Sequence, residues 1–351
     1  ESFSINFKKP YIPMKRIILL LFISTNLTFS QGLSGVENFV LASDQDKNLL
    51  ANNYFNPLFK SMQISMSEGW ARTAKAHKKF GFDITFFGSG VAIPNSQKIF
   101  STAGFEGIVA NGPTSPTIFG AESNTEYIVN FFSAEQDTNL STSFQSPNGY
   151  SSILSSGRLL LPNVQAALGL PFKSEIIVRY MPKVSFKGAE FTALGVGLKH
   201  SISQYFSLSK ATPLNLSILL SSAKMVGDYP LSESSQISGS NQSVDLDIAS
   251  STFGLIGSAD IKIVSLYASI SQVVSKSSFK VGGTYIVDYV TSPGNIPIEL
   301  NIVDPIDMSS KMNYLRKNIG LSLNFPLLKF FVDYSVQDFN AINAGLSFSI
   351  R

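Results

Sequence analysis

Cysteine is absent from this 351-residue chain, and Asp, Glu, Lys and Arg together make up only 15% of it, against roughly 25% in ordinary soluble domains. Histidine occurs twice, as His77 and His200, and tryptophan once, as Trp70. Each shortage excludes something. Without cysteine there is no disulfide framework, no thiol nucleophile and no lipid-modified N-terminal Cys. Two histidines cannot build a multi-histidine zinc site. No metal site, cofactor or enzymatic activity is expected. No run after residue 31 approaches the about 18 apolar residues that mark a transmembrane helix.

The formal charge of +3 is also misleading. Residues 1–30 read as upstream sequence followed by a secretory signal peptide: Lys15 and Arg16 precede the apolar run Ile17 to Ile23, and Thr28-Phe29-Ser30 offers a cleavage site before Gln31. Removing them takes 4 of 27 basic and 1 of 24 acidic residues, leaving 23 of each. A neutral chain without a basic stripe is not a nucleic-acid binder.

What is present is alternation. Ile342, Ala344, Leu346, Phe348 and Ile350 alternate with Asn343, Gly345, Ser347, Ser349 and Arg351, a strand with one apolar and one polar face. The same pattern recurs at Val164 to Leu170, Ile176 to Phe186 and Leu214 to Leu220, and at Phe80, Phe82, Ile84 and Phe86. Segments of about 10 residues with one greasy face fit tilted strands crossing a bilayer. Counting them predicts an all-β, transmembrane antiparallel β-barrel of about 14 strands over residues 80–351, with 12 or 16 as alternatives. Aromatic residues near strand ends, such as Phe172 and Phe325, fit interfacial girdles. A bacterial outer membrane is the expected location, with its lipid and the barrel-insertion machinery as partners.

Residues 31–79 differ. Val36, Phe39, Leu49, Leu50, Leu58 and Phe59 are spaced as in short helices, with Asn56 as a cap before Pro57 at a first helical position. Helical material ahead of the first strand must be a plug inside the barrel or a lid beneath it. Val36, Phe39, Asn56, Pro57 and Phe59 are the plug candidates.

A signal peptide, a short helical segment containing Asn56-Pro57-Leu58, and then about fourteen strands together resemble the FadL/PorV-like superfamily of Gram-negative outer-membrane barrels. The runs Gly169-Leu170-Pro171-Phe172 and Arg179-Tyr180-Met181-Pro182 are similar to an uncharacterised group of such barrels. The resemblance implies a channel or transporter for small, hydrophobic solutes, or a non-transporting structural or secretion partner of other envelope proteins. Leu58 and Phe59 depart from the small residue that usually follows the Asn-Pro pair in FadL proteins.

Among polar strand residues, Arg179, Lys183, Asp245 and Asp247 are expected to face the lumen, because their apolar neighbours should face lipid. Trp70, Lys78 and Lys79, in a cluster with Arg72, Lys75 and His77, are expected to mark the inner membrane interface. His200 beside Ser201 and Ser203 reads as an interfacial or turn histidine. Gly195 and Gly197, inside a strand pattern, relieve curvature or leave room for a plug.

Overall fold

A computed structural model describes residues 33, 35–154, 157–186, 188–206, 212–230 and 237–350; the expected signal peptide and Arg351 lie outside the described residues. Ten strands close a ring. In chain order, β1 (Phe82–Ala92) is followed by an insertion carrying β2 (Ile99–Ser101), β3 (Ile108–Ala110), β4 (Thr114–Pro116), β5 (Glu126–Ser133) and β6 (Thr138–Gln145). Then come β7 (Arg158–Leu170), β8 (Ser174–Phe186), β9 (Ala189–Ser201), β10 (Leu214–Pro230), β11 (Ile237–Ile261) and β12 (Val264–Thr291). The last are β13 (Pro297–Val303), β14 (Ile306–Asn324), β15 (Leu328–Val336) and β16 (Ala341–Ile350). The ring runs β1, β7, β8, β9, β10, β11, β12, β14, β15, β16 and back to β1, antiparallel throughout. Phe82 stands opposite both Ile350 and Leu168, so the terminal strand closes the barrel on the first.

The expected fourteen strands are therefore corrected to ten in the ring; β3, β5, β6 and β13 extend the sheet outside it, and β2 pairs with β4 apart from it. Of the four extra strands, three fall in the insertion and at β13, outside the ring, and the fourth comes from dividing β12 in two. Runs Ile263 to Val274 and Phe279 to Val290 look like two strands because the apolar face changes parity between them, but they are one strand, β12, with no turn. In its first half Leu266 and Ile270 are exposed on the outside, while in its second half Phe279 and Val281 are buried inside. The same switch occurs on β11: Phe253 and Leu255 point out, whereas Leu246 and Ile248 point in.

This switch divides the barrel into two zones. Near the end where β1 starts and β16 stops, the outer wall is apolar and exposed, with Ile176, Val196, Leu220, Leu255 and Phe330 among its residues. The inner wall there is polar and buried, with Asp83, Gln165, Glu175, Arg179, Lys199 and Asn343. A soluble sandwich would have the opposite polarity. Apolar outside and polar inside is the arrangement hydrocarbon solvation demands, since a closed sheet leaves no backbone group unpaired in lipid. On β11 the outer apolar stretch runs from Phe253 to Ile261, which for a tilted strand is roughly 20–25 Å of height. Beyond it the strands continue as a soluble extension with charges outside, including the pairs Lys224–Asp247 at 2.8 Å and Lys280–Asp307 at 2.9 Å.

Two ends follow. At the turn end two connections are tight, Phe172 and Lys173 with positive φ between β7 and β8 and Lys262-Ile263 between β11 and β12, while residues 202–213 join β9 to β10 by a longer path. The loop end carries the 93–157 insertion, β13 and the β15–β16 turn.

One helix, α1 (Asp44–Ser67), fills the interior, in place of the expected succession of short helices. Ser43 is its N-cap, accepting from the Asp46 N–H at 3.2 Å. Pro57 sits within it rather than at its start, so Asn56 is not a cap and remains exposed. A mid-helix proline costs about 3 kcal/mol in isolation, which tertiary burial offsets here: α1 packs against β1, β10, β11, β12 and β14, and its last seven residues are all buried. Its last two turns bury Ser61, Gln63, Ser65 and Ser67, which requires a polar surrounding wall, as there is at this depth.

Candidate functional site

The interior has three levels, built by α1 and the extended segment that follows it. At the loop end the level is apolar. The 3-10 turn Val36–Leu41 and α1 meet the extension of the strands there, and Phe39, Tyr54, Phe55, Phe59 and Phe279 form a chain of ring contacts with centroids 4.9 to 5.8 Å apart. Between these rings and the wall lies an apolar chamber of about 50 Å³, partly open to solvent and lined by Val36, Phe55, Phe59, Phe191, Leu246 and Phe279 among others. Above it the insertion is pinned to the helix. Asp46, fully buried, accepts the N–H groups of Glu106 and Gly107 at 3.0 and 2.7 Å.

The middle level is a polar collar around the C-terminus of α1. Helix ends leave carbonyls without intrahelical partners, and here they are taken up by arginines from opposite walls. Arg179 on β8 donates to Met66 O at 3.2 Å, and Arg316 on β14 donates to Ser67 O. Two cations at a helix C-terminus also match its dipole. Glu68, buried completely, accepts from Ser335 at 2.6 Å, Gln337 at 2.7 Å and Asn343 at 2.8 Å, tying the chain to β15, β16 and the turn between them. Asn343 also donates to Asp333, which accepts from Tyr267 and Asn318 as well. Trp70 donates to Met66 O at 3.0 Å, and Gln165 on β7 donates to Trp70 O at 3.3 Å. Segment Ser67–Trp70 is thus held by β7, β8, β14, β15 and β16.

At the turn end the inner wall is charged. Asp83 on β1 meets Arg72 at 3.2 Å, His77 Nε2 at 3.2 Å and Lys329 at 3.6 Å. Glu175 on β8 meets His77 Nδ1 at 2.7 Å and Lys199 at 3.1 Å. His77 lies between the two carboxylates. Burial works against its charged form, but hydrogen bonds and charge from Asp83 and Glu175 outweigh it, so the imidazole pKa is raised. Lys199 also donates to Thr73 O and Lys75 O, holding the segment to β9 as it leaves the lumen.

The expected site residues are distributed unevenly over this arrangement. Arg179 is buried in the lumen. Lys183, Asp245 and Asp247 are not: all three are exposed on the outer face, Lys183 pairing with Glu190 at 2.6 Å and Asp247 with Lys224. Asp245 and Asp247 lie where the polarity has inverted, so their apolar neighbours Leu246 and Ile248 point inward instead of to lipid, and Lys183 is turned outward by the register shift between Met181 and Val184 on β8. Trp70 is not an interfacial anchor. It is 2% exposed and stacks on Arg179 inside the barrel. Lys78 and Lys79 are exposed at the turn end, where Lys79 Nζ lies 5.1 Å from the Phe80 ring centroid. Val36, Phe39, Pro57 and Phe59 are buried with the helix, and Asn56 is exposed. His200 bonds Ser174 Oγ at 2.9 Å and Tyr205 at 3.1 Å. Asp333, Arg316 and Glu175 carried no sequence signal beyond a charge on the polar face of an alternating run, and Glu68, at the C-terminus of α1, carried none.

A family profile described as "Family of unknown function (DUF6588)" matches residues 14–350. No curated protein matches the chain. Among solved structures, the chain is similar to Ail, the attachment invasion locus protein of Yersinia pestis, at 10% identity and a TM-score of 0.26, covering 78% of this chain and 100% of that one. The β domain of the Bordetella autotransporter BrkA gives 10% identity and 0.29, covering 78% and 100%. The Ralstonia pickettii toluene transporter TbuX gives 11% and 0.17, covering 82% and 93%.

Proposed function

We propose that this chain, which belongs to the DUF6588 family of unknown function, is a non-enzymatic outer-membrane barrel of a Gram-negative bacterium that admits a small hydrophobic solute at its loop end. The observation that carries the reading is the apolar chamber. Its walls belong partly to the barrel, through Phe191, Leu246 and Phe279, and partly to the plug, through Val36, Phe55 and Phe59. A solute seated there touches the element that blocks the way inward. Passage then requires segment 67–77 to yield, since the collar and the charged level fill the lumen beneath. Outer-membrane lipid surrounds the apolar belt, and the insertion machinery installs the barrel.

A second reading is a barrel that anchors other envelope proteins and transports nothing. It is favoured by the exposed apolar residues on the outer sheet, Val109, Ile128, Phe132 and Val303. Uptake separates the two. Cells whose lipopolysaccharide layer excludes N-phenyl-1-naphthylamine should take up this fluorescent probe faster when they express the protein, and Ala189→Phe, which fills the chamber, should abolish the gain. Unchanged uptake, with envelope proteins retained through purification, would reject transport in favour of the anchor.

A further inference from the structure

The charge distribution around the chamber says more about its occupant than its apolar lining does. Besides apolar side chains, the lining includes Glu37, Asp228 and Tyr229, and among the described residues it includes no Lys, Arg or His. Glu37 is half-buried beside the chamber, whereas Asp228, paired across the sheet with the exposed Asp245, turns its side chain to the outer face of β10. Tyr229 is engaged with the N-terminal segment, its hydroxyl accepting from Leu33 N at 3.0 Å. The nearby lysines of the extension are committed to carboxylates: Lys183 to Glu190, Lys224 to Asp247 and Lys280 to Asp307.

Resting on the transport reading above, we propose that the chamber selects against anions and takes neutral hydrophobic molecules, so that carboxylates and sulfonates with the same apolar body are excluded. The physical reason is desolvation. An anion entering an apolar chamber gives up its hydration, and that loss is made good only by a cation or by several aimed donors. The chamber supplies neither from its described side chains, and the half-buried Glu37 carboxylate adds repulsion that water screens poorly in a partly enclosed space. A neutral solute meets no such term and gains from burial against six aromatic rings, Phe39, Phe55, Phe59, Phe191, Tyr229 and Phe279.

The test uses a pair of probes with one apolar body: N-phenyl-1-naphthylamine, which is neutral, and 8-anilinonaphthalene-1-sulfonate, which is anionic. Each is titrated into the full chain folded in a non-ionic detergent, with Ala189→Phe in the same detergent as the background for micelle partition. Val244→Phe, at another lining position, replaces it if heat-modifiable gel mobility shows that Ala189→Phe does not fold. The neutral probe should bind saturably to the wild type and not to the filled variant, and the sulfonate should bind at least about tenfold more weakly, a factor equal to 1.4 kcal/mol. Glu37→Gln should narrow that gap to within about threefold. Equal affinity for the two probes, or a gap unmoved by Glu37→Gln, would overturn the charge selection and leave the chamber standing. Binding that survives chamber filling, or no saturable binding of either probe, would overturn the chamber itself.

Discussion

The guanidinium carbon of Arg179 lies 3.9 Å from the centroid of the Trp70 ring, a stacked cation–π contact between the barrel wall and the segment that crosses the lumen. The neighbouring strand β9, where Gly195 stands beside Arg179 in register, is shaped to admit the indole. A Cβ built on Gly195 would fall 2.9 Å from the ring, and one on Gly197 would fall 3.0 Å from it. Two glycines spaced by one residue on the inner face of β9 therefore form a slot for one aromatic side chain, with Arg179 closing it.

This slot fixes a first prediction. Trp70→Ala removes a buried aromatic and leaves Arg179 without its stacking surface, and should cost about 3–5 kcal/mol, read as a lower urea midpoint for loss of heat-modifiable gel mobility. Gly197→Val should destabilise through the opposite fault, overfilling, by about 1–3 kcal/mol. Because Trp70 is the single tryptophan, acrylamide quenching of the wild type should be weak and should rise sharply in Gly197→Val. Strong quenching of the folded wild type would contradict a buried indole.

Asp83 holds three cationic side chains, Arg72, His77 and Lys329, and is itself buried. Asp83→Asn keeps the volume and removes the charge. Removing one partner of a buried ion pair costs about 3–5 kcal/mol, so the variant should unfold at lower urea, whereas Asp247→Asn, in an exposed pair, should stay within about 1 kcal/mol of the wild type. Equal effects would mean that the turn-end cluster is solvated.

The raised pKa of His77 gives a pH dependence of definite sign. A histidine that binds its proton more tightly when folded adds stability below its unfolded pKa of about 6.5, and that contribution falls away as pH rises through the higher folded value. Unfolding midpoints measured from pH 5.5 to 9 should therefore decline above about pH 6.5 in the wild type. The decline should be reduced in His77→Gln. Parallel profiles for the two proteins would rule out His77 as the titrating group.

A chain without cysteine is suited to topology mapping by single-cysteine labelling. Asp307→Cys, above the apolar belt at the loop end, should react with a membrane-impermeant maleimide on intact cells. Lys78→Cys, exposed at the turn end, should react only after the outer membrane is permeabilised. The reverse pattern would invert the barrel and place the chamber on the periplasmic side.

Alternation at Ile342 to Ile350 and along β8, scarce charge and the lack of any long apolar run determined by themselves that this chain makes a sheet with a lipid-facing side. Those signals are local: each depends only on which residues lie two apart on one strand. Arg179 could be placed on the inner wall for the same reason. The number of strands could not, because the parity flip on β12 marks the height at which the wall leaves the bilayer and in sequence looks the same as a turn, and because β13 and the insertion strands alternate like wall strands while lying outside the ring. Nor could the inward or outward sense of Asp245 and Asp247, which the flip on β11 reverses. Trp70 seated against Gly197, Glu68 against Asn343 and His77 between Asp83 and Glu175 were decided by the closed fold, since each pairs residues from 6 to 275 positions apart. Only a barrel closing around its own helix brings them to the same depth.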